Sequence, residues 1–339
     1  GDGSSWQAQL SLRYDQSEVP QGTAEDSLVL LAGPSGDLDI LIEKGWNMLS
    51  LPTTVGDYHT TAVFPGALSK AFSYNGSYQP LDTLRSGIGF WIKYSAADLR
   101  SFTGSTIARE TIDVADKWNM IGTPSYPVPL ANTSVLAPAV RISEFFGYSN
   151  ETGYFIEDSL QPGHGYWVKV NNAGKLVLAS VSTGSQSISG ASGAMTTNQN
   201  TPYLLFHGIG EKDFDKLIIT DAEKRTRTLL FSCRPTDLGP SLSELPPVPP
   251  EGMDVRFASG RLVEMANPRN SKTIPLQISS VVYPLEVEWA FTGNRDEATL
   301  IVDDNEISIQ HTGSIRISNP GAKVYLRFAP GLAADLPKA

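Results

Sequence analysis

The chain has 339 residues, a formal charge of −10, 18% charged and 40% hydrophobic residues, four histidines and one cysteine. The acidic balance excludes nucleic acid and anionic membrane surfaces as partners. A single thiol excludes an intrachain disulfide, and the scattered histidines exclude a Cys/His zinc site.

Frequent Gly and Pro, no long helical periodicity and no apolar run able to span a bilayer point to an all-β protein of two or three domains, with no membrane insertion. Residues 1–43 hold an alternating run, Trp6–Leu12, and a continuous one, Ser27–Leu31, on either side of a polar turn with Pro20 and Gly22. This N-terminal β segment either completes a sheet elsewhere or ends an upstream domain. The start at Gly1, without Met or leader, points to a processed or excised part of a longer protein.

Residues 44–182 are a tandem β repeat, with copies at 44–110 and 116–182. Trp46-Asn47-Met48-Leu49-Ser50-Leu51-Pro52 returns as Trp118-Asn119-Met120-Ile121-Gly122-Thr123-Pro124. Leu84-Arg85-Ser86-Gly87-Ile88-Gly89-Phe90-Trp91-Ile92-Lys93 returns as Leu160-Gln161-Pro162-Gly163-His164-Gly165-Tyr166-Trp167-Val168-Lys169. Such a pattern, W-N-x-[LI]-x-x-P followed by G-x-G-[FY]-W-[IV]-K, is an internal duplication, and its two units are expected to pack with pseudo-symmetry. Position 46 recurs at 118 and position 91 at 167, so the spacing grows from 72 to 76 and copy two carries a short insertion. Strands around Ile107–Val114 and Leu176–Val181 join the copies to their neighbours.

Asn75-Gly76 between Tyr74 and Tyr78 is a strong hairpin signal. Trp46, Trp91, Trp118 and Trp167, flanked by aliphatic residues, are expected in the core. Tyr74, Tyr78, Tyr148 and Tyr154 lie beside hairpin turns and are expected to be exposed. They are the candidates for a ligand-binding surface, since aromatic faces stack on the apolar faces of sugars.

Residues 183–201, rich in Ser, Gly and Asn, form a linker. Residues 202–333 contain ten short strand-like runs, starting at Tyr203–Phe206 and ending at Val324–Phe328, with the regular turns of an antiparallel β-sandwich. Leu245-Pro246-Pro247-Val248-Pro249-Pro250 is a stiff polyproline crossing rather than a sheet strand.

The block from Leu245 through Glu251-Gly252-Met253-Asp254-Val255-Arg256-Phe257 resembles the β-sandwich module that precedes the sorting domain in bacterial proteins exported by the type IX secretion system. Tyr283-Pro284-Leu285-Glu286-Val287-Glu288-Trp289 and Gly313-Ser314-Ile315-Arg316-Ile317 carry the same resemblance. Leu336-Pro337-Lys338-Ala339, within residues 334–339, is similar to the start of the linker into that domain. The W-N-x-[LI] and G-x-G-[FY]-W repeats are similar to repeats common in the same surface proteins. The resemblance spans residues 44–339 and implies export to the bacterial cell surface or beyond. It implies no activity, because that family includes enzymes, adhesins and structural proteins, and it offers no catalytic residue to carry over.

The residues themselves show little chemistry. A nucleophile elbow in strand-to-helix context is missing, and His59, His164, His207 and His311 fall in different elements. Cys233 beside Arg234 suits a lowered thiol pKa, but no histidine neighbours it in the sequence and a buried spacer is the expectation. Asp303-Asp304-Asn305-Glu306 has oxygen-ligand spacing that suits Ca²⁺, and it suits a hairpin turn equally. Asp-[Ser/Thr]-Leu at Ser27, Thr83 and Ser159 resembles the O-glycosylation site of bacteria that use this secretion route, and a shared turn explains the latter two as well.

The sequence therefore leads to a non-enzymatic extracellular structural or adhesive protein that assembles with itself or with other surface proteins, in the extreme as a filament or surface layer. The alternative is a carbohydrate-binding accessory region of a secreted polysaccharide-degrading enzyme, which takes polysaccharide through the hairpin tyrosines.

Overall fold

The alternation in Leu38-Asp39-Ile40-Leu41-Ile42 decides how the first copy begins: Ile40 and Ile42 are buried while Asp39 and Leu41 face out. This is the period-two signature of a strand with one covered face. The computed structural model describes residues 38–180, 214–233, 244–266, 270–293 and 297–328. The expected strands before Leu38, the run at Tyr203–Phe206, the linker at 183–201 and the tail at 334–339 lie outside these residues.

Copy one consists of β1 (Leu38–Ile42), β2 (Gly45–Leu49), a one-turn helix α1 (Thr60–Val63), β3 (Ala71–Tyr74), β4 (Tyr78–Leu81), β5 (Phe90–Tyr94) and β6 (Asp98–Phe102). Four of its strands form a sheet in the order β2-β5-β3-β4, and β1 pairs with β6. Copy two runs β7 (Arg109–Val114), β8 (Lys117–Gly122), β9 (Val128–Pro129), β10 (Thr133–Leu136), β11 (Phe146–Ser149), β12 (Gly153–Ile156), β13 (Ser159–Leu160), β14 (Gly165–Val170) and β15 (Gly174–Ala179). Its main sheet, β8-β14-β11-β12, repeats the first strand for strand, and β7 pairs with β15 as β1 does with β6.

This shifts the boundaries read from the sequence. The cut at residue 43 removes β1 from the copy it pairs with, and Arg109–Val114 opens copy two rather than joining the copies. Each copy begins one strand before its W-N motif because that strand closes the sheet carrying the copy's C-terminal end.

The G-x-G motif explains how the copies meet. Gly87 and Gly163 take φ of +76° and +75°, a left-handed turn that glycine adopts at little cost. Their carbonyls accept from the opposite copy, Gly122 N–H to Gly87 at 2.9 Å and Ser50 N–H to Gly163 at 2.8 Å. Isolated bridges join Ile88 to Ile121 and Leu49 to His164. A Cβ at Gly89 would lie 2.5 Å from the Ile121 carbonyl oxygen, and one at Gly165 would lie 2.9 Å from that of Leu49. The second glycine of each motif is therefore the place where one backbone passes against the other.

A further set of strands follows: β16 (Asp215–Thr220), β17 (Thr226–Ser232), β18 (Asp254–Phe257), β19 (Val263–Met265), β20 (Lys272–Ser279), β21 (Leu285–Ala290), β22 (Glu297–Val302), β23 (Asn305–Gln310), β24 (Thr312–Ile317) and β25 (Val324–Phe328). Among the described residues they form two five-stranded sheets, β19-β17-β16-β21-β24 and β18-β20-β25-β22-β23. Leu217, Phe231, Phe257, Leu300, Leu326 and Phe328 fill the space between them. The protein is all-β and sandwich-like, as expected from its Gly and Pro content and its lack of helical periodicity. The short β19 escapes sequence reading, and it pairs parallel to β17 where every other named pair is antiparallel. Residues 245–250 form no strand.

Replacing Gly89 by Ala is expected to cost about 1–3 kcal/mol through overpacking against backbone that cannot retreat. Gly165→Ala should behave in the same way, and Gly56→Ala, with open space around it, should stay within about 0.5 kcal/mol. Denaturant unfolding of the three variants checks this ordering.

Candidate functional site

Three of the four repeat tryptophans are buried as expected, Trp46, Trp91 and Trp167, and Trp118 is half-buried. Cross-strand pairing fixes them, with Trp91 opposite Met48 and Phe72, and Trp167 opposite Met120 and Phe146. Every tryptophan in this set joins one cluster that both copies share.

The four hairpin tyrosines depart from expectation. Rather than standing exposed, all are half-buried and cross to the opposite copy. Tyr148 and Tyr154 pack against Trp91 with ring centroids at 4.7 and 6.5 Å, and Tyr74 and Tyr78 pack against Trp167 at 4.9 and 6.5 Å. These contacts are edge-on, with interplanar angles of 65–82°, a geometry favoured by the ring quadrupoles. A hairpin brings its two tyrosines together because each pair is in direct register, Tyr74 with Tyr78 and Tyr148 with Tyr154. Proximity to a turn suggested exposure, but the shared tryptophan wall draws the rings inward.

The hydroxyls of this cluster hold the proline-rich segment. Tyr154 Oη donates to the Pro247 carbonyl at 2.6 Å, and Tyr78 Oη donates to the next carbonyl, that of Val248, at 2.8 Å. The motif lysines hold its ends. Lys169 pairs with Glu244 before the prolines, and Lys93 Nζ lies 3.4 Å from Glu251 Oε2 after them. Each lysine also lies over a tryptophan, Lys93 over Trp46 and Lys169 over Trp118, at 5.5 and 5.8 Å from the ring centroids. Residues 244–251 thus lie across the pseudo-two-fold axis, with equivalent residues of the two copies gripping opposite halves.

The sandwich braces the same segment from behind. Arg256, held by Asp254 at 2.6 and 2.7 Å, donates from Nη1 to the Pro246 carbonyl at 2.8 Å. Buried Arg227 donates to the carbonyls of Met253 and of Glu151 in the copy-two hairpin, and to Tyr148 Oη at 3.3 Å. Among the described residues the copy-one hairpin has no such anchor, and Gly76 there stands in open space. Sequence reading missed Lys93, Lys169, Glu244, Glu251 and Arg227. The lysine closing each motif and the two glutamates flanking the prolines were its available signals, whereas nothing marked Arg227.

The remaining candidates are in structural positions. Asp303 and Asp304 form the turn between β22 and β23, with Asp303 at φ +54° and its carboxylate accepting the Lys323 N–H at 2.9 Å. Glu306 pairs with Arg327, which holds its carboxyl below the usual glutamate value. Among the described residues no group of three or more metal-ligating side chains comes together. Thr83 is exposed and bridged to His59, and its counterpart Ser159 is half-buried in β13 opposite Pro129. The following leucines, Leu84 and Leu160, are buried, which accounts for the leucine of the pattern. Ser27 lies outside the described residues. No described helix is long and apolar enough to cross a membrane.

Burial raises the Tyr78, Tyr148 and Tyr154 hydroxyls above the usual tyrosine value. Below about pH 10 folded and unfolded chains both keep these protons, and above it the unfolded chain releases them first. Stability should therefore fall as pH rises past about 10, and a Tyr78→Phe/Tyr154→Phe variant should lose less over that range. At neutral pH the same variant should lose about 0.5–1.5 kcal/mol per hydroxyl. Tyr154→Phe should cost more than Tyr78→Phe, because its bond is less exposed to water. Chemical unfolding across pH reads both effects.

No family model matches the chain, and no curated protein or solved structure is significantly similar to it.

Proposed function

We propose that this protein is a non-enzymatic structural module of the bacterial cell surface, working through protein–protein assembly. The export route is the one implied by the resemblance of residues 44–339 to type IX secretion cargo. One observation carries the reading: the aromatic rings that a sugar would use are packed into the joint between the copies, and two of their hydroxyls are bonded to the Pro247 and Val248 carbonyls. A carbohydrate platform needs its rings open and coplanar, and these rings are edge-on to one another and spend two hydroxyls on the chain itself.

The aromatic joint is a rigid mount. It ties the repeats to the sandwich through ion pairs at both ends of the proline segment and hydrogen bonds at its middle. Two small β domains held in this way have a fixed mutual orientation, as a load-bearing or repeating surface element needs and a flexibly tethered accessory module does not.

Light scattering and electron microscopy of the purified protein, with and without calcium, test this reading. Ordered oligomers or fibres are expected in both conditions. A purely monomeric protein that binds polysaccharide, and loses the binding when Tyr74 and Tyr148 are replaced by Ala, would transfer the function to carbohydrate recognition.

A further inference from the structure

The duplication supplies its own comparison, because each surface feature of one copy can be set against its counterpart in the other. In copy two the outer strand β15 is paired on both sides, with β7 and with β10. In copy one its equivalent, β6, is paired with β1 only, and no strand among the described residues covers its other edge. The segment that would supply that strand instead forms α1 and tucks Phe64 beneath the sheet, 5.8 Å from Phe102.

The outer faces differ in the same place. Asp113 of β7 and Lys175 of β15 are cross-strand partners joined by an exposed ion pair at 2.6 Å. Their counterparts in copy one are Leu41 and Leu99, also direct partners, which are 61% and 59% exposed. A solvated ion pair at one site and two bare leucines at its equivalent show that solvent contact alone does not set the residue type there.

A complementary edge lies on copy two. Among the described residues β10 is the last strand of its sheet; it reads Thr133-Ser134-Val135-Leu136 without charge, Pro or Gly, and presents Leu136 at 39% exposure, with Val140 at 38% just beyond it. Natural edge strands are usually guarded by charge, proline or a bulge. This one carries no such side chain, and it is the strand type that already covers the β15 edge within the molecule.

We propose that the free edge of β6 pairs with the free edge of β10 in a second copy of this chain, aligning Leu41, Leu99 and Leu136 in one apolar row. The two edges are different surfaces, so the contact is heterologous and each molecule keeps one edge of each kind open. Repetition gives an open filament rather than a closed dimer. This inference rests on the assembly reading above and names the surfaces that carry it.

The test transplants the chemistry of copy two, Leu41→Asp with Leu99→Lys, and separately introduces Leu136→Lys, in the full chain. Wild-type mass by light scattering should grow with concentration, and either variant should weaken self-association at least about tenfold. At concentrations where wild type is still monomeric the thermal midpoint should not move, since the same ion pair already sits in this fold. Mixing the two variants should give a one-to-one complex, because each retains the edge that the other has lost. A Leu41→Thr/Leu99→Thr variant, which keeps strand propensity, should repeat the loss and covers a folding failure of the charged pair. Variants that assemble like wild type, or that form no complex when mixed, overturn the edge pairing and leave the assembly reading standing. A wild-type chain that stays monomeric at every concentration overturns both.

Discussion

The approach of two backbones at Gly89 and Gly165 is the constraint on which the rest depends. Without a Cβ at either position, each G-x-G strand can lie against the W-N-x-[LI] strand of the other copy, near enough for Gly87 and Gly163 to accept backbone hydrogen bonds across the axis. That closeness puts Trp91 and Trp167 within reach of the opposite tyrosines. A spacing wider by one side chain would leave two half-covered tryptophan faces, and a unit of about 70 residues has too small a core to leave such faces wet.

A two-fold joint also presents two equivalent sets of groups to whatever crosses it. Tyr78 and Lys93 on one side match Tyr154 and Lys169 on the other, and residues 244–251 meet them with consecutive carbonyls at the centre and a carboxylate at each end. An extended proline-rich chain suits this role, because its carbonyls are unused by any sheet and it has little conformational entropy left to lose. The lysine–glutamate pair at Glu251 is largely exposed and adds about 0–1 kcal/mol. Its contribution is register: with a carboxylate held at each end, the segment is kept from sliding along the cradle.

Much of this was legible in the sequence, and what was hidden shared one cause. The duplication, the all-β class, the Asn75-Gly76 hairpin and the refusal of residues 245–250 to join a sheet all follow from local signals: repetition, alternation, turn chemistry and proline. The burial of the hairpin tyrosines does not, because it depends on what the second copy places opposite them. Strand Arg109–Val114 was legible as a strand and misassigned in position, since its partner β15 lies some 60 residues further along the chain. Arg227 was invisible for the same reason: its acceptors at Met253 and Glu151 belong to separate elements.

The copies agree at the joint and at the local turns closed by Asn47 and Asn119, and they diverge on surface that neither demand reaches. Three divergences stand out: α1 in place of β10, the leucine pair in place of Asp113 and Lys175, and a hairpin pinned by Arg227 only in copy two. The third orients the sandwich, since a symmetric pair gripping one segment needs an asymmetric contact to define a single pose. The first two fall together on one sheet edge, far in sequence from the proline segment and free of its demands. Among the described residues, copy one has no strand in the place of β10 and carries exposed leucines where copy two has an ion pair, so this edge is where the copies differ most in what they offer to solvent.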